Sequence, residues 1–262
     1  MPRLAANLST LFTDAPFLDR FERAAKAGFT AVEFQFPYAF GVADIRDRLS
    51  DTGLQPVLFN MPAGDWEAGD RGLAAQPGRE DEFRDGAALA IDYALELGVS
   101  KLHVLSGLAA EGEDQDRQWR TYVANLRYAA QFAGTAGVEV LIEPISRESF
   151  PGYFLTGLDM AAEAIDEAGE ENLFIQYDLY HRRFVGDDLV SLYLKHAERI
   201  RHVQVAGWPG RHEPDVGVLD WQAAFAALDA SGYAGFVGCE YFPAAGTESG
   251  LGWARSWLGG SK

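Results

Sequence analysis

The sequence predicts an α/β chain in which eight parallel strands, each followed by a helix, close into one barrel. Three observations carry this expectation. Eight short apolar runs alternate with helix-period stretches from end to end, no break in composition divides the chain, and 262 residues is an ordinary length for a single (βα)8 domain spanning residues 1–262. A doubly wound open sheet would give the same alternation, but the count of eight favours the closed form. Neither GxGxxG nor GxxxxGK[ST] follows the first run, which weakens the dinucleotide-binding alternative, and no nucleotide cofactor is expected.

The strand candidates, in order, are LAANLS (4–9), AVEFQF (31–36), QPVLFNMP (55–62), KLHVLSG (101–107), VEVLIEPI (138–145), LFIQYDLYH (173–181), IRHVQVAG (200–207) and FVGCEYFP (236–243). Two helices between them have plain apolar stripes: Phe83, Ala87, Ala90, Ile91, Ala94 and Leu95 in one, and Trp119, Tyr122, Val123, Leu126, Ala130 and Ala133 in the other. Asp14, Thr156 and Asp220 are placed to cap helix starts, and Gly28, Gly53, Gly98, Gly137 and Gly232 to end helices before the next strand. The longest irregular stretch, MPAGDWEAGDRGLAAQPGRE (61–80), follows the third strand. A loop of that length inside a compact domain is usually a lid or a binding loop.

Composition narrows the function classes. With 48% hydrophobic and 13% aromatic residues the chain can bury a large core. Its 22 basic and 39 acidic side chains leave a net charge of −17, which repels nucleic acid and anionic membranes, so neither is expected as a partner. A single cysteine, Cys239, excludes an internal disulfide and suits a reducing cytoplasm. The N-terminal segment is too short and polar for a secretory signal, and no apolar run reaches membrane-span length; a cytoplasmic protein, as a monomer or a homo-oligomer, is the expectation.

Glu240 poses the central chemical question. It follows Phe236, Val237, Gly238 and Cys239 in a run that reads as a buried strand, where a lone carboxylate is costly without a partner. Glu143 ends the fifth strand, Asp178 ends the sixth, Gln204 lies on the seventh and Glu240 on the eighth. Each acid alone could mark a strand leaving the core. In a parallel barrel all four open on one face, and three carboxylates there call for a divalent cation. An all-oxygen set, with Gln204 contributing its carbonyl, suits Mg²⁺ or Mn²⁺ and leaves two octahedral positions for adjacent substrate oxygens. His181, three residues beyond Asp178, is read as a substrate contact. His103 and His202 are read as packed or supporting groups within strands, His196 as structural, and Cys239 as core. Arg211 is either a surface charge or the local cation that an anionic substrate needs.

Several segments resemble the hydroxypyruvate isomerase family of the xylose-isomerase-like TIM barrel superfamily: ANLSTLF (6–12), GFTAVEFQFPY (28–38), NMPAGDWEAGDRGLAAQPGREDEFRDG (60–86), NLRYAA (125–130), IEPI (142–145), IQYDLYH (175–181) and GCEY (238–241). This resemblance implies one metal held by Glu143, Asp178, Gln204 and Glu240, with Glu143 and Glu240 as the acid/base pair and a small 2-oxo or hydroxy acid as substrate. Arg211 matches an arginine of the family, and the overall charge makes it the candidate for the substrate carboxylate, assisted by His181. The segment AGWPGRHEPDVGVLDW (206–221) departs most, with Val218 where an acid is common. Hydroxypyruvate isomerisation through an enediolate is the activity implied; sister groups act on 2-oxo-tetronates, and an epimerase or dehydratase acting on a larger polyol through the same enediolate chemistry is a further reading. An abasic-site endonuclease and a non-catalytic sugar-acid-binding barrel are the readings from other classes.

Overall fold

The computed structural model describes residues 2–109, 112, 114–183 and 188–258. Strands β1 (Arg3–Asn7), β2 (Ala31–Phe34), β3 (Gln55–Asn60), β4 (Lys101–Val104), β5 (Glu139–Ile142), β6 (Leu173–Asp178), β7 (Ile200–Val205) and β8 (Phe236–Cys239) close a barrel in that order. Every expected strand forms, and each stops short of the C-terminal end of its apolar run. Helices α1 (Arg20–Lys26), α2 (Val42–Thr52), α3 (Glu80–Leu97), α4 (Gln115–Thr135), α5 (Leu158–Ala168), α6 (Leu179–Arg183), α7 (Leu189–His196), α8 (Trp221–Ala230) and α9 (Thr247–Gly250) alternate with or follow them. Among the described residues no helix is long and apolar enough to cross a membrane.

By its internal contacts the chain groups into two compact units, Met1–Leu58 with Tyr177–Lys262, and Phe59–Gln176. In the first unit β1 pairs in parallel with β2 and β8, and β7 pairs with β8. All residues of β2 and β8 are buried, as expected of parallel strands covered on both faces. The register sets Asn7 opposite Glu33, and both Ala5 and Gln204 opposite Gly238. Asp220 caps α8 as expected, accepting from Ala223 N. Asp14 does not cap: Pro16 opens a 3-10 turn ahead of α1, and the Asp14 carboxylate pairs with Arg23 at 2.8 Å instead. Trp221, Phe225 and Trp253 stack edge to face at centroid separations of 5.4 to 6.5 Å, closing this unit with large aromatic area.

In the second unit β3 pairs with β4, β4 with β5, and β5 with β6. The α3 stripe is buried except at Leu95, which is 58% exposed; it lies roughly a quarter-turn from the stripe's centre, and Leu97 is buried instead. On α4 the stripe holds, with Trp119 half-buried and donating to Glu167 Oε2 at 3.0 Å. Thr156 is no cap, because α5 starts one residue later, behind Gly157. The long loop after β3 is pinned rather than loose. Ala75 N donates to Ser106 O at 2.7 Å, Arg79 bonds Asp70 at 2.8 Å, and Arg71 stacks over the Trp66 ring at 4.3 Å.

Candidate active site

β8 ends at Cys239, so Glu240 is the first residue beyond it, and Asp178 is the last residue of β6. Both are buried. Arg211, from the loop after β7, bridges them: its Nη2 donates to Asp178 Oδ2 and to Glu240 Oε1, each at 3.0 Å. The same side chain donates from Nε to the Glu240 carbonyl at 3.2 Å, places Nη1 3.3 Å from His181 Nε2, and lies over the Tyr180 ring at 5.1 Å. Arg211 takes a left-handed backbone, φ 56°, which is uncommon for a residue with a Cβ. Phe242 N donates to its carbonyl at 2.7 Å and holds the turn that aims it. The fork that sequence reasoning assigns to a substrate carboxylate thus grips two of the protein's own carboxylates.

Burial dominates the electrostatics here. Desolvation pushes the Glu240 carboxyl from its ordinary 4.5 up to about 7. Arg211 pulls it down, whereas Asp178 and Glu33 push it further up. Asp178 is raised as well, again by burial first, against the opposing pull of Arg211. Gln35 Nε2 donates to Glu240 Oε1 at 3.0 Å and supplies a neutral partner.

Glu33, which sequence reasoning does not single out, is 1% exposed in the middle of β2. Its Oε1 accepts from Asn7 Nδ2 at 3.0 Å and from Gln204 Nε2 at 2.7 Å, and its Oε2 lies 2.6 Å from His202 Nε2. Space for the carboxylate comes from Gly238, where a Cβ would collide with both Glu33 oxygens. The signal was available: an acid inside AVEFQF is the same anomaly that marks Glu240.

On the second unit Glu143 is the first residue after β5 and is buried. Gln176 Nε2 donates to its Oε2 at 3.1 Å, and His103 Nε2 lies 3.7 Å from the same oxygen. His103 is in turn steered by Asn60, with Nδ1 3.2 Å from Oδ1. His103 and His202, read from sequence as packed or supporting strand histidines, are both buried, and each lies against a buried carboxylate. Cys239 is fully buried and burial pushes its thiol well up, as befits a core residue.

The donor set fits a divalent cation. Two buried acids of the first unit, Asp178 and Glu240, share the Arg211 guanidinium, and the buried Glu33 carboxylate raises both further, so negative charge gathered here in a low dielectric is costly. Within the first unit Asp178 and His181 are buried together, with His181 Nε2 3.6 Å from Asp178 Oδ2, a carboxylate–imidazole pair of the kind that could help hold a metal ion. His181, read from sequence as a substrate contact, is therefore also a ligand candidate. Val218, where the sequence departs from the family it resembles, is 65% exposed.

Comparison with known proteins agrees with this architecture. The family described as "Xylose isomerase-like TIM barrel" matches residues 21–257. A 2-oxo-tetronate isomerase from Cupriavidus necator is 48% identical over 99% of this chain and 100% of its own length. The hydroxypyruvate isomerase of Escherichia coli is 45% identical over 97% of this chain and 98% of its own. The crystal structure of a protein named AP endonuclease, family 2, from Brucella melitensis superposes with a TM-score of 0.97 at 46% identity, covering 99% of this chain and 100% of that one. The barrel, its strand-end acids and these full-length relatives together establish that the chain belongs to the xylose isomerase-like TIM barrel family.

Proposed function

We propose that the protein is an isomerase that interconverts hydroxypyruvate and 2-hydroxy-3-oxopropanoate (tartronate semialdehyde). The observation that carries this reading is Glu240: a buried carboxylate just past a barrel strand end, held at 3.0 Å by both Arg211 Nη2 and Gln35 Nε2, is placed to take up and return a proton. Relatives named as isomerases of small oxo acids, at 45% and 48% identity over nearly the whole chain, support it.

Hydroxypyruvate carries a ketone at C2 beside a CH₂OH at C3. Moving the carbonyl requires a proton to leave C3 and another to arrive at C2, while the hydroxyl hydrogen passes between the two oxygens. Glu240 and Glu143 are the proposed pair, one taking the C3 proton and the other delivering to C2 through the enediol. Glu143, Asp178, Gln204 and Glu240, with His181 as a further candidate, would hold a Mg²⁺ or Mn²⁺ ion, which when bound supplies Lewis-acid polarisation of the adjacent substrate oxygens. Arg211 is proposed to receive the substrate carboxylate, since its planar fork matches that group in two parallel N–H bonds. To do so it exchanges one carboxylate partner for another.

A 2-oxo-tetronate is the second reading, favoured by the 48% identical relative; it presents the same ketone and neighbouring hydroxyl on a longer chain. An endonuclease reading, suggested by the name of the Brucella melitensis protein, is opposed by the net charge of −17. Proton NMR of the metal-loaded protein with each oxo acid in turn decides among them. Conversion of hydroxypyruvate at a kcat/KM above that for 2-oxo-tetronates is expected. Preference for the tetronates would transfer the assignment to them, and cleavage of an abasic-site duplex without conversion of either acid would overturn it.

A further inference from the structure

Asn7 on β1, Glu33 on β2, and His202 and Gln204 on β7 meet at one buried carboxylate, and Gly238 on β8 leaves the room it occupies. Four positions on three other strands serve a group that takes no part in the proton transfers proposed above. A carboxylate only accepts hydrogen bonds, whereas a glutamine amide has a donating and an accepting end that differ little in shape. With Nε2 of Gln204 2.7 Å from Glu33 Oε1, the reversed amide would set oxygen against oxygen in a dry site.

We infer that Glu33 is a positioning residue, which locks the side-chain amide of Gln204 so that its carbonyl oxygen is the end presented to a divalent cation. This rests on the assignment of Gln204 as a ligand made above. Glu33 shares the strand order β7–β8–β1–β2 with Gln204, and Gly238 between them is the glycine whose Cβ would displace it. An amide at position 33 removes the lock, because it can turn its own NH₂ toward Gln204 and draw the Gln204 oxygen away from the ion. Supporting groups that orient a ligand in this way typically contribute roughly 10- to 100-fold in metal affinity.

The test is Mn²⁺ binding to the purified full-length chain, followed by calorimetry and by the Mn²⁺ electron paramagnetic resonance signal. Four proteins are compared: wild type, Q204A, E33Q and the swap E33Q/Q204E. In the swap the donor is at 33 and the acceptor at 204, an oxygen remains for the ion, and Asn7, which donates to the same Glu33 oxygen in the wild type, must turn its amide to present Oδ1 to the new NH₂. Expected is one Mn²⁺ in the wild type, a loss of roughly 10- to 100-fold in E33Q, and recovery of most of that loss in the swap. An E33Q affinity equal to wild type overturns the inference, and so does a loss that the swap leaves unrepaired, since Glu33 would then serve packing alone. If E33Q does not fold, the swap is read against wild type: affinity within about tenfold supports the lock, a greater loss overturns it. Mn²⁺ binding that Q204A leaves unchanged, or no binding to the wild type, removes the metal assignment itself and is thereby told apart from failure of the lock.

Discussion

Replacing Glu240 by glutamine should change how stability depends on pH, in a direction fixed by the burial of that carboxyl. In the metal-free protein the folded state holds the Glu240 proton more tightly than the unfolded chain does, because desolvation lifts its pKa from 4.5 to about 7. The associated stabilisation is complete below pH 4.5 and is lost as pH rises through about 7. At about 1.4 kcal/mol per tenfold change in proton affinity, the loss is on the order of 3 kcal/mol by pH 8. Asp178 is raised too and adds to the same trend, while Arg211 holds both carboxyls lower than burial alone would. Surface acids such as Asp70, lowered by its hydrogen bond to Arg79, work in the opposite direction but are common to both proteins. The assay is equilibrium urea denaturation with chelator at pH 5, 6, 7 and 8, reported as wild type minus E240Q. The difference should move by about 2 to 3 kcal/mol in favour of E240Q across this range, and saturating Mg²⁺ should suppress the movement, since a cation favours the ionised carboxylates. Parallel profiles for the two proteins would refute the claim that Glu240 is held protonated by burial.

Three further outcomes follow from the site. Exhaustive chelation should abolish isomerase activity, and adding back Mg²⁺ or Mn²⁺ should restore it; full activity in a sample verified metal-free by elemental analysis would rule out the metal assignment. With metal bound, E143Q and E240Q should each lower kcat by roughly 10²- to 10⁴-fold, measured by NMR turnover, and a variant that keeps normal turnover loses its role in proton transfer. R211K should raise KM for hydroxypyruvate far more than for an uncharged hydroxyketone of similar size, because a point charge replaces the fork; equal losses on both would show that Arg211 serves Asp178 and Glu240 alone.

The fold was legible because eight β-rich apolar runs are separated by glycine-ended helices, a pattern that survives local error. Strand ends were overstated because Ile145 and Tyr241 stay buried after the ladder stops, so hydrophobicity alone does not mark where pairing ends. Leu95 failed because a stripe's edge can fall on either side of the water line. Asp14 failed because Pro16 begins a 3-10 turn that delays the helix. In the site, Asp178 and Glu240 stood out as acids at apolar strand ends. Glu33 carries the same anomaly in mid-strand, but its partners Asn7, His202 and Gln204 come from strands far apart in sequence, and only register brings them together. The aim of Arg211 depends on a left-handed turn that no residue pattern announced.

The central claim is that these carboxylates move a carbon-bound proton of a small oxo acid. Incubating the metal-loaded protein with hydroxypyruvate in deuterated water and following the C3 protons by NMR tests it most directly. The account predicts deuterium at carbon in both substrate and product, dependent on the metal and depressed by E240Q. Turnover without any solvent deuterium at carbon would contradict proton transfer through the carboxylates, and hydroxypyruvate left unchanged and unlabelled would contradict the isomerase reading.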